Sequence, residues 1–410
     1  MKVVVAHHLW SRVGGGELVN AYVVKTLLEA GHEVVVASTF GFEKERYREW
    51  FGIDLGDVRV YALLPKMLPL FGIYQRLGFY IPLRKAIKKE EPDVVFVDSE
   101  LYKPILKLKK RYKFRLLEYI HFPFHALWFE KGDVLEEYKE AIERYLADAK
   151  MYHKKYEKGL WRYYFKLWLK LYGRFARDNP FDVADAVMAN SRYIARLVKM
   201  LWGGEALVLY PPVKVRDFEP YGMKPFEERD DAVVMIGRIT PEKRIEVVID
   251  AIALTETNPT LRVVGGLIPL NMPYKESLER RAREKGVRVE FYTNVSREEL
   301  VKIATSSKVF VHATVGEHFG IAVVEGMAAG CPVIVHRSGG PYEDITDYGK
   351  YGLTYESIEE LAKLIDDLIT DPNKWIYFHN LSLKRSLEFC EERFSRRLLS
   401  LLRDKNEDNR

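Results

Sequence analysis

The chain has 410 residues, of which 48% are hydrophobic and 30% are charged, and its net charge is +5. This length is too great for one ordinary core and suits two domains, and the hydrophobic content is ample for both cores. The mild positive charge is spread along the chain, so it does not indicate a nucleic-acid-binding protein, although contact with an anionic membrane surface stays open.

The first elements predict a βαβ unit, with a buried strand, a helix and a second strand over residues 2–7, 17–30 and 33–37. Before the helix, Gly14, Gly15 and Gly16 allow backbone amides to approach a phosphate. Val19 and Ser38 occupy the positions where a dinucleotide-binding fingerprint needs a third glycine and an acid. The loop therefore does not predict NAD binding.

Residues 63–83 form an apolar and aromatic segment in which three prolines interrupt any long helix. An exposed segment of this kind is unusual in a soluble protein. Two interpretations stay open, namely buried packing and an apolar surface that binds a lipid acceptor.

Two further predicted strands end in polar residues, the first at Asp98 and the second at His121. Open α/β sheets bind their ligands at the carboxyl ends of the strands, so His121 is the best candidate histidine for a site. His7 and His125 are weaker candidates. The alternative for His121 is a hydrogen-bonded histidine of the core.

Residues 150–177 predict a long amphipathic helix. Glu157 is the only acid in this stretch, and basic residues recur every four positions among aromatic side chains, at Arg162, Lys166, Lys170 and Arg174. A basic stripe beside an aromatic face is typical of a helix at a membrane surface. A domain helix with one solvated face fits the pattern almost as well. RNA binding is disfavoured, because no nucleic-acid motif accompanies the stripe.

A pair of cations, Arg238 and Lys243, follows the first strand of the second half. Thr240 predicts a helix cap and Pro241 the first helical residue, which would put Lys243 in the first turn. Two cations at the positive end of a helix repel each other, so a diphosphate between them is the natural partner. The alternative is surface salt bridges, through Glu242 or Glu246.

The stretch over 315–335 predicts a loop, a short helix ended by Gly330, and a buried strand. Glu317 lies in the loop. Glu325 lies in a helix otherwise suited to burial, where an ionised carboxylate is costly unless it is hydrogen-bonded. Glu325 therefore needs a ligand or a partner, and a core arginine is the alternative to a ligand.

The start of this short helix also suits an anion. The backbone N–H groups of Ile321 and Ala322 have no intrahelical acceptor, and Gly320 has no side chain to keep an anion away. Together with Glu317 and Glu325, these groups predict a site for an anionic ligand that carries hydroxyls.

The Glu317…Glu325 spacing, E-x7-E, resembles the signature of the retaining nucleotide-sugar glycosyltransferases of family four. The resemblance covers most of the chain. The sequence of residues 317–321, with Ser338-Gly339-Gly340-Pro341 after the next strand, is most similar to sequences of one branch of that family. That branch adds mannose during lipid-linked oligosaccharide assembly.

This resemblance implies a role for each candidate residue of the second half. Glu325 would hold the ribose hydroxyls of the donor nucleotide, and Glu317 would contact the transferred hexose. The amides of Ile321 and Ala322, beside Gly320, would face sugar or diphosphate oxygens. The Arg-x4-Lys pair would stabilise the leaving nucleoside diphosphate.

The resemblance also implies roles in the first half. The loop of Gly14, Gly15 and Gly16 would lie under the donor diphosphate, and His121 would lie beside the transferred sugar. No metal site is expected, and no cofactor is implied, since the nucleotide-sugar is a substrate.

The alternation of strand and helix through both halves predicts an α/β fold. The resemblance implies the GT-B architecture, in which two doubly wound Rossmann-like parallel-sheet domains face each other across a cleft. We expect the first domain over 1–212, because Tyr210-Pro211-Pro212 stiffens the crossing. We expect the nucleotide-sugar-binding domain over 213–375, and a helix that crosses back, with a charged tail, over 376–410.

The predicted function is retaining transfer of a hexose, mannose from GDP-mannose, to a glycan or a lipid-linked glycan. One open alternative is a UDP-sugar-dependent transferase with a soluble or another lipid acceptor. The others are a nucleotide-sugar epimerase and a non-catalytic nucleotide-sugar-binding subunit of the same fold.

Composition predicts the location of the protein. Cys331 and Cys390 have neither metal-ligand spacing nor a disulfide pattern, and no secretory leader precedes the first strand, so a reducing cytoplasm is expected. No stretch reaches the ~20 apolar residues of a spanning helix, so membrane contact would be peripheral, through 150–177 and 63–83. A single glutamine and many charged residues are typical of a thermophile.

Overall fold

A computed structural model of the chain describes residues 1–11, 13–68, 72–98, 102–123, 138, 159–176 and 178–403. The chain divides into two compact units, Met1–Pro212 with Phe394–Arg410, and Val213–Arg393. Each unit has its own parallel β-sheet. Predictions for residues 150–158, for His125 and for the tail from residue 404 lie outside the described residues.

The first unit has a seven-stranded sheet in the order β3-β2-β1-β4-β5-β6-β7. Every neighbouring pair is parallel, and the order reverses between β1 and β4. The strands are β1 (Lys2–Ala6), β2 (Glu33–Phe40), β3 (Arg59–Leu64), β4 (Val94–Val97), β5 (Arg115–Ile120), β6 (Ala186–Ala189) and β7 (Leu207–Val208).

Helices cover both faces of this sheet. Successive side chains of a strand point to opposite faces, so Val3 and Val5 of β1 enter one apolar core while Val4 and Ala6 enter another. The described helices of the first half are α1 (Gly15–Glu29), α2 (Glu45–Phe51), α3 (Gly72–Leu77), α4 (Tyr80–Glu90), α5 (Tyr102–Tyr112), α6 (Gly159–Ala176) and α7 (Arg192–Trp202).

The second unit has a six-stranded parallel sheet in the order β10-β9-β8-β11-β12-β13, which reverses between β8 and β11. Its strands are β8 (Asp230–Ile236), β9 (Thr260–Gly265), β10 (Val289–Thr293), β11 (Ser307–His312), β12 (Val333–His336) and β13 (Leu353–Tyr355). The remaining helices are α8 (Glu219–Gly222), α9 (Ile245–Ile252), α10 (Met272–Lys285), α11 (Arg297–Thr305), α12 (Ile321–Ala328), α13 (Ile358–Thr370), α14 (Pro372–Ser386) and α15 (Glu391–Arg403).

The last helix, α15, packs in the first unit. Phe394 and Leu398 belong to a core shared with β1, and Thr26 of α1 lies 2.7 Å from Ser395 between the two hydroxyl oxygens. Helix α14 stays in the second unit, which extends to Arg393, whereas the sequence expectation began the returning segment at residue 376.

The predicted α/β fold of two doubly wound parallel sheets is confirmed. In each sheet the reversal of strand order leaves a crevice at the carboxyl ends of two strands, where doubly wound sheets bind ligands. These are the ends of β1 and β4 in the first unit, and of β8 and β11 in the second. Among the described helices, none is long and apolar enough to cross a membrane.

Candidate active site

The crevice of the second sheet holds several of the predicted residues. A small cavity there is lined by residues that include Gly237, Arg238, Lys243, His312 and Thr314. Within the described part of the chain, His312 Nδ1 and Thr314 Oγ1 are buried and make no hydrogen bond to protein. Buried polar atoms are normally satisfied, so the cavity suits a polar ligand or ordered water.

Lys243 and Glu317 meet in this crevice. The Lys243 Nζ donates to Glu317 Oε2 at 2.7 Å, and His312 Nε2 lies 3.6 Å from the same oxygen. Burial alone would raise the pKa of Glu317, but the charge of Lys243 and the contact with His312 hold that pKa well below its usual value. Glu317 is therefore an anion at neutral pH, already paired with one of the two predicted cations.

The predicted α-helix start at Pro241, with Lys243 in its first turn, is wrong. Pro241–Lys243 form a single 3-10 turn, Arg244 has a φ of 50°, and α9 begins only at Ile245. The Thr240 hydroxyl donates to the carbonyl of Arg238 at 3.3 Å rather than capping the helix. The left-handed residue interrupts the helical hydrogen bonds, so Lys243 owes its position to the turn and not to a helix end.

Arg238 makes a salt bridge with Glu242, which was the alternative to a diphosphate-binding role for this arginine. Its Nη2 lies 3.3 Å from Glu242 Oε1, and 68% of the Arg238 side chain is exposed. Exposed pairs of this kind contribute little stability, about 0–1 kcal/mol. The guanidinium at the cavity wall is thus held weakly and can exchange its carboxylate for another anion.

The loop that carries Glu317 is held by the segment after β12. Gly316 N–H donates to Ser338 Oγ at 2.9 Å, and Gly340 N–H donates to the Glu317 carbonyl at 2.8 Å. A Cβ added at Gly339 would lie 2.5 Å from that carbonyl oxygen, so no larger residue fits. The Ser-Gly-Gly segment therefore holds the backbone from which the Glu317 side chain projects.

Helix α12 begins and ends as predicted. Gly320 has a φ of 102° and precedes the helix, and Gly330 follows it with a φ of 74°. A Cβ at Gly320 would lie 2.9 Å from Pro341 Cγ, so both space and backbone conformation require glycine. Ile321 and Ala322 are the first helical residues, whose N–H groups have no intrahelical acceptor.

Glu325 of α12 is paired with an arginine, which was the alternative to a ligand for this carboxylate. Arg297 Nη1 donates to Glu325 Oε1, and Arg297 Nε donates to Asp217 Oδ2 at 2.8 Å. The guanidinium also lies 5.0 Å from the ring centre of Phe218. Sequence reasoning missed Arg297 and Asp217, because nothing local to either residue points to Glu325.

The crevice of the first sheet brings the glycine loop close to two histidines. Gly15 and Gly16 are the first residues of α1. A Cβ at Gly16 would lie 3.6 Å from His121 Nε2 and 3.7 Å from His7 Cε1. His7 follows β1 and His121 follows β5, so the topology assembles the predicted loop and the predicted histidine at one place.

Asp98, which follows β4, joins the two histidines. The Asp98 Oδ2 atom lies 2.6 Å from His7 Nδ1 and 3.1 Å from His121 Nε2. Burial alone would lower the pKa of His7, but the charge and hydrogen bond of Asp98, with a smaller effect of Glu17, raise it to about 10. Burial alone would raise the pKa of Asp98, yet His7 and His121 hold it below its usual value.

A metal site does not emerge from the side chains that the structure describes. Among the described residues, no group of three or more histidine, cysteine, aspartate or glutamate side chains has an arrangement that could hold a metal ion. Cys331 and Cys390 are both free thiols, and Cys331 is buried.

Comparison with known families agrees with this architecture. Residues 13–216 match Glycosyltransferase Family 4, and residues 223–380 match Glycosyl transferases group 1. The chain therefore belongs to the family-four glycosyltransferases of the GT-B class, and it is an enzyme that transfers a glycosyl group.

Within that class the chain is similar to mannosyltransferases of lipid-linked oligosaccharide assembly. It is 25% identical to the GDP-Man:Man(3)GlcNAc(2)-PP-Dol alpha-1,2-mannosyltransferase of Dictyostelium discoideum, over 95% of this chain and 82% of the relative. Its identity to the enzyme of the same name is 27% in Xenopus laevis, over 78% of this chain and 66% of the relative. Its identity to the enzyme of that name in Homo sapiens is 29%, over 57% of this chain and 49% of the relative.

Solved structures support the fold. HepE of Anabaena in complex with UDP and glucose has a TM-score of 0.68 and 17% identity, over 98% of this chain and 100% of that one. WaaG, a glycosyltransferase involved in lipopolysaccharide biosynthesis, has a TM-score of 0.63 and 16% identity, over 97% of this chain and 99% of that one. At these identities the similarity concerns the fold.

Proposed function

We propose that this glycosyltransferase moves mannose from GDP-mannose to a lipid-linked glycan, with retention of the anomeric configuration. The names of the relatives in three species support the donor and the acceptor class. The observation that carries the proposal is the Lys243–Glu317 pair in the crevice of the second sheet, at 2.7 Å, beside the free helix start at Ile321. It combines a cation for a diphosphate with a carboxylate for sugar hydroxyls.

In this proposal the second unit binds the donor. Glu325 uses its second carboxylate oxygen for the ribose hydroxyls while Oε1 stays with Arg297. Lys243 has three N–H donors, so it can contact a phosphate oxygen without leaving Glu317. The exposed Arg238 exchanges Glu242 for the diphosphate, and the amides of Ile321 and Ala322 face sugar or phosphate oxygens.

Catalysis then depends on the charge that moves onto the leaving diphosphate. Departure of GDP creates an oxocarbenium-like centre at the sugar, and preorganised cations and amides stabilise the developing phosphate charge. We propose that Gly14, Gly15 and Gly16 also lie against the diphosphate, and that His121 contacts the transferred sugar. The epimerase and the non-catalytic subunit are not favoured, because the relatives are named as transferases.

Calorimetric titration with GDP-mannose, UDP-glucose, UDP-N-acetylglucosamine and NAD tests the donor. We expect selective binding of GDP-mannose that is lost in Glu325→Ala. Preference for a UDP-sugar would overturn the donor assignment but keep the enzyme class. Binding of GDP-mannose to Glu325→Ala with wild-type affinity would overturn the site. Transfer assays with polyprenyl-diphosphate-linked and soluble glycans then test the acceptor.

We also propose peripheral contact between the first unit and the anionic surface of a membrane, on its cytosolic face. In α6, the apolar side chains of Leu160, Tyr163 and Leu167 are 85%, 70% and 52% exposed, on the side that carries the exposed Lys166 and Lys170. Apolar groups that insert beside cations that meet lipid phosphates are typical of an interfacial helix.

The two segments predicted for this contact pack against each other. Tyr74 Oη of α3 donates to the Tyr164 carbonyl at 2.6 Å, and Trp168 Nε1 donates to the Ile73 carbonyl at 2.8 Å. Trp168 is buried in the core, so the alternative of a domain helix describes the inner face of α6 correctly. The exposed apolar side chains of the outer face support the membrane proposal.

A further inference from the structure

The crevice of the first sheet contains a chain of four ionisable side chains. Glu17 Oε1 lies 3.7 Å from His7 Nε2, His7 Nδ1 lies 2.6 Å from Asp98 Oδ2, and that oxygen lies 3.1 Å from His121 Nε2. Asp98 and the flanking His7 and Glu17 are largely buried, whereas the His121 side chain keeps 28% of its surface exposed. The contacts thus run from the interior to His121. Of the four side chains, His121 is the most exposed and is the one that a substrate can reach.

One oxygen atom of Asp98 receives these hydrogen bonds. Besides the two imidazoles, Asn20 Nδ2 donates to Asp98 Oδ2 at 2.8 Å, and the same amide donates to the Gly16 carbonyl at 2.9 Å. A carboxylate only accepts, so each ring nitrogen that faces Asp98 must carry a proton. His7 therefore has its proton on Nδ1, and His121 has its proton on Nε2.

The second nitrogen of His7 also faces a carboxylate, that of Glu17. Two carboxylates beside one imidazole favour the doubly protonated ring, although Nε2, at 3.7 Å from Glu17, makes no hydrogen bond to a residue that the structure describes. A charged His7 in turn keeps Asp98 ionised in a buried position, where an unpaired carboxylate would be costly. His7 is thus the counterion of Asp98, and Asp98 is the acceptor for His121.

We infer that Asp98 is the positioning residue that sets the tautomer and the ring orientation of His121, and that His7 keeps Asp98 in the anionic form this needs. Because Nε2 of His121 donates to Asp98, Nδ1 is the ring nitrogen left for a substrate hydroxyl. Tyr119 packs edge-on against the His121 ring at 4.8 Å between ring centres, and Asn190 Nδ2 donates to the His121 carbonyl at 2.9 Å. The backbone and the ring face are thus supported separately, and Asp98 supplies the remaining orientation. The catalytic consequence rests on the proposed function, whereas the protonation pattern does not.

The first test uses wild-type protein labelled with 15N at histidine and long-range 1H–15N spectra of the ring nitrogens. At neutral pH we expect His7 with two protonated nitrogens and His121 with a proton on Nε2. A His121 ring protonated only at Nδ1, or a neutral His7, would overturn the inference without any variant.

The second test compares Asp98→Asn with Asp93→Asn, which changes the same residue type at the amino end of the same strand, where Asp93 accepts from the Lys2 N–H. The side-chain amide introduced by Asp98→Asn is uncharged, so it accepts more weakly from the three donors that share Asp98 Oδ2 and no longer gives His7 a counterion. His121 should therefore lose its Nε2–H preference. We expect kcat to fall about 10- to 100-fold, by analogy with residues that orient metal-bound histidines. The KM for the donor should change little, and the Asp93 variant should match wild type.

The outcomes separate this inference from the proposed function. Unchanged His121 spectra and unchanged kcat in Asp98→Asn would overturn the inference. If wild-type protein transfers no sugar from any nucleotide-sugar, the proposed function fails, while the ring spectra still decide the role of Asp98. If Asp98→Asn does not fold, the wild-type spectra alone decide.

Discussion

The crevices of the two sheets occupy the same topological position but arrange their charges differently. In the second unit the charges form two groups, Lys243 with Glu317 and Arg297 with Glu325 and Asp217. In the first unit two histidines share one oxygen of Asp98. Contacts made through different atoms can be exchanged for ligand groups one at a time, whereas a shared acceptor couples every member. We therefore expect substitutions in the second unit to affect donor binding and chemistry selectively, and those in the first unit to affect stability as well.

The largest effect should come from breaking the shared acceptor. In His7→Gln, Asp98 loses its buried cation, and loss of one partner of a buried pair typically costs about 3–5 kcal/mol of unfolding free energy. The measurement is chemical denaturation of the variant and of His32→Gln, a partly exposed histidine outside the cluster. Equal stability of the two variants would contradict the coupling.

Wild type and His7→Gln should also differ in the pH dependence of their stability. The pKa of His7 is raised in the folded protein to about 10, above its ordinary value of 6.5. Its charge therefore stabilises the fold fully below pH 6.5, and this contribution is lost as the pH rises towards about 10. Melting temperatures measured from about pH 6 to about pH 10 should fall more steeply for wild type than for His7→Gln. Parallel curves would mean that His7 is not charged in the folded protein.

In the second unit, Lys243→Met should act on chemistry, with a smaller loss of stability than His7→Gln because the Lys243 and Glu317 side chains are 22% and 21% exposed. Removal of one preorganised donor to a developing negative charge costs about 10²–10³ in kcat. Initial rates of mannose transfer check this expectation. The matched control is Lys302→Met, which breaks an exposed lysine–glutamate pair on α11. A loss confined to KM would instead assign Lys243 to ground-state binding.

Arg297→Met sharpens the comparison, because it tests whether the contact with Arg297 positions the Glu325 carboxylate. Hydrogen bonds to a charged group contribute about 1.5–3 kcal/mol, so wild type should prefer GDP over 2′-deoxy-GDP by about 10- to 100-fold. The variant should lose most of that preference, as measured by calorimetry. Arg288→Met, an exposed arginine paired with Glu290, is the control. An equal loss of affinity for both nucleotides would indicate a general structural defect.

The smallest effect concerns the outer face of α6. Leu167→Ser removes a half-exposed apolar side chain, and loss of about 1 kcal/mol of burial corresponds to a roughly fivefold weaker association. Co-sedimentation with vesicles that contain anionic lipid checks it. Leu254→Ser changes a side chain of similar exposure in the second unit, 57% against 52%, and should have no effect. Equal binding by both variants and wild type would contradict the membrane contact.

Sequence patterns predicted most of the fold and part of the site. The rule that open sheets bind ligands at strand ends selects His121 as a candidate, and the same rule applied to His312 selects the neighbour of Glu317. Asp98 also ends a predicted strand, but an acid after a strand has many ordinary explanations, so the sequence alone assigns it no role. The turn before α9 was misjudged, because the left-handed conformation of Arg244 is not favoured by its residue type.

The sequence by itself determined the alternation of strands and helices, the glycine positions and the Glu317…Glu325 spacing, because all of these depend on residues close together in the chain. Only the tertiary structure decided which charges meet. Arg297 reaches Glu325 over 28 positions, Lys243 reaches Glu317 over 74, and His7 reaches Asp98 over 91. Parallel strands that are distant in sequence end at one edge of a sheet, so the sheet order brings Lys243 to Glu317 and His7 to Asp98. Arg297 and Glu325 instead lie on helices α11 and α12.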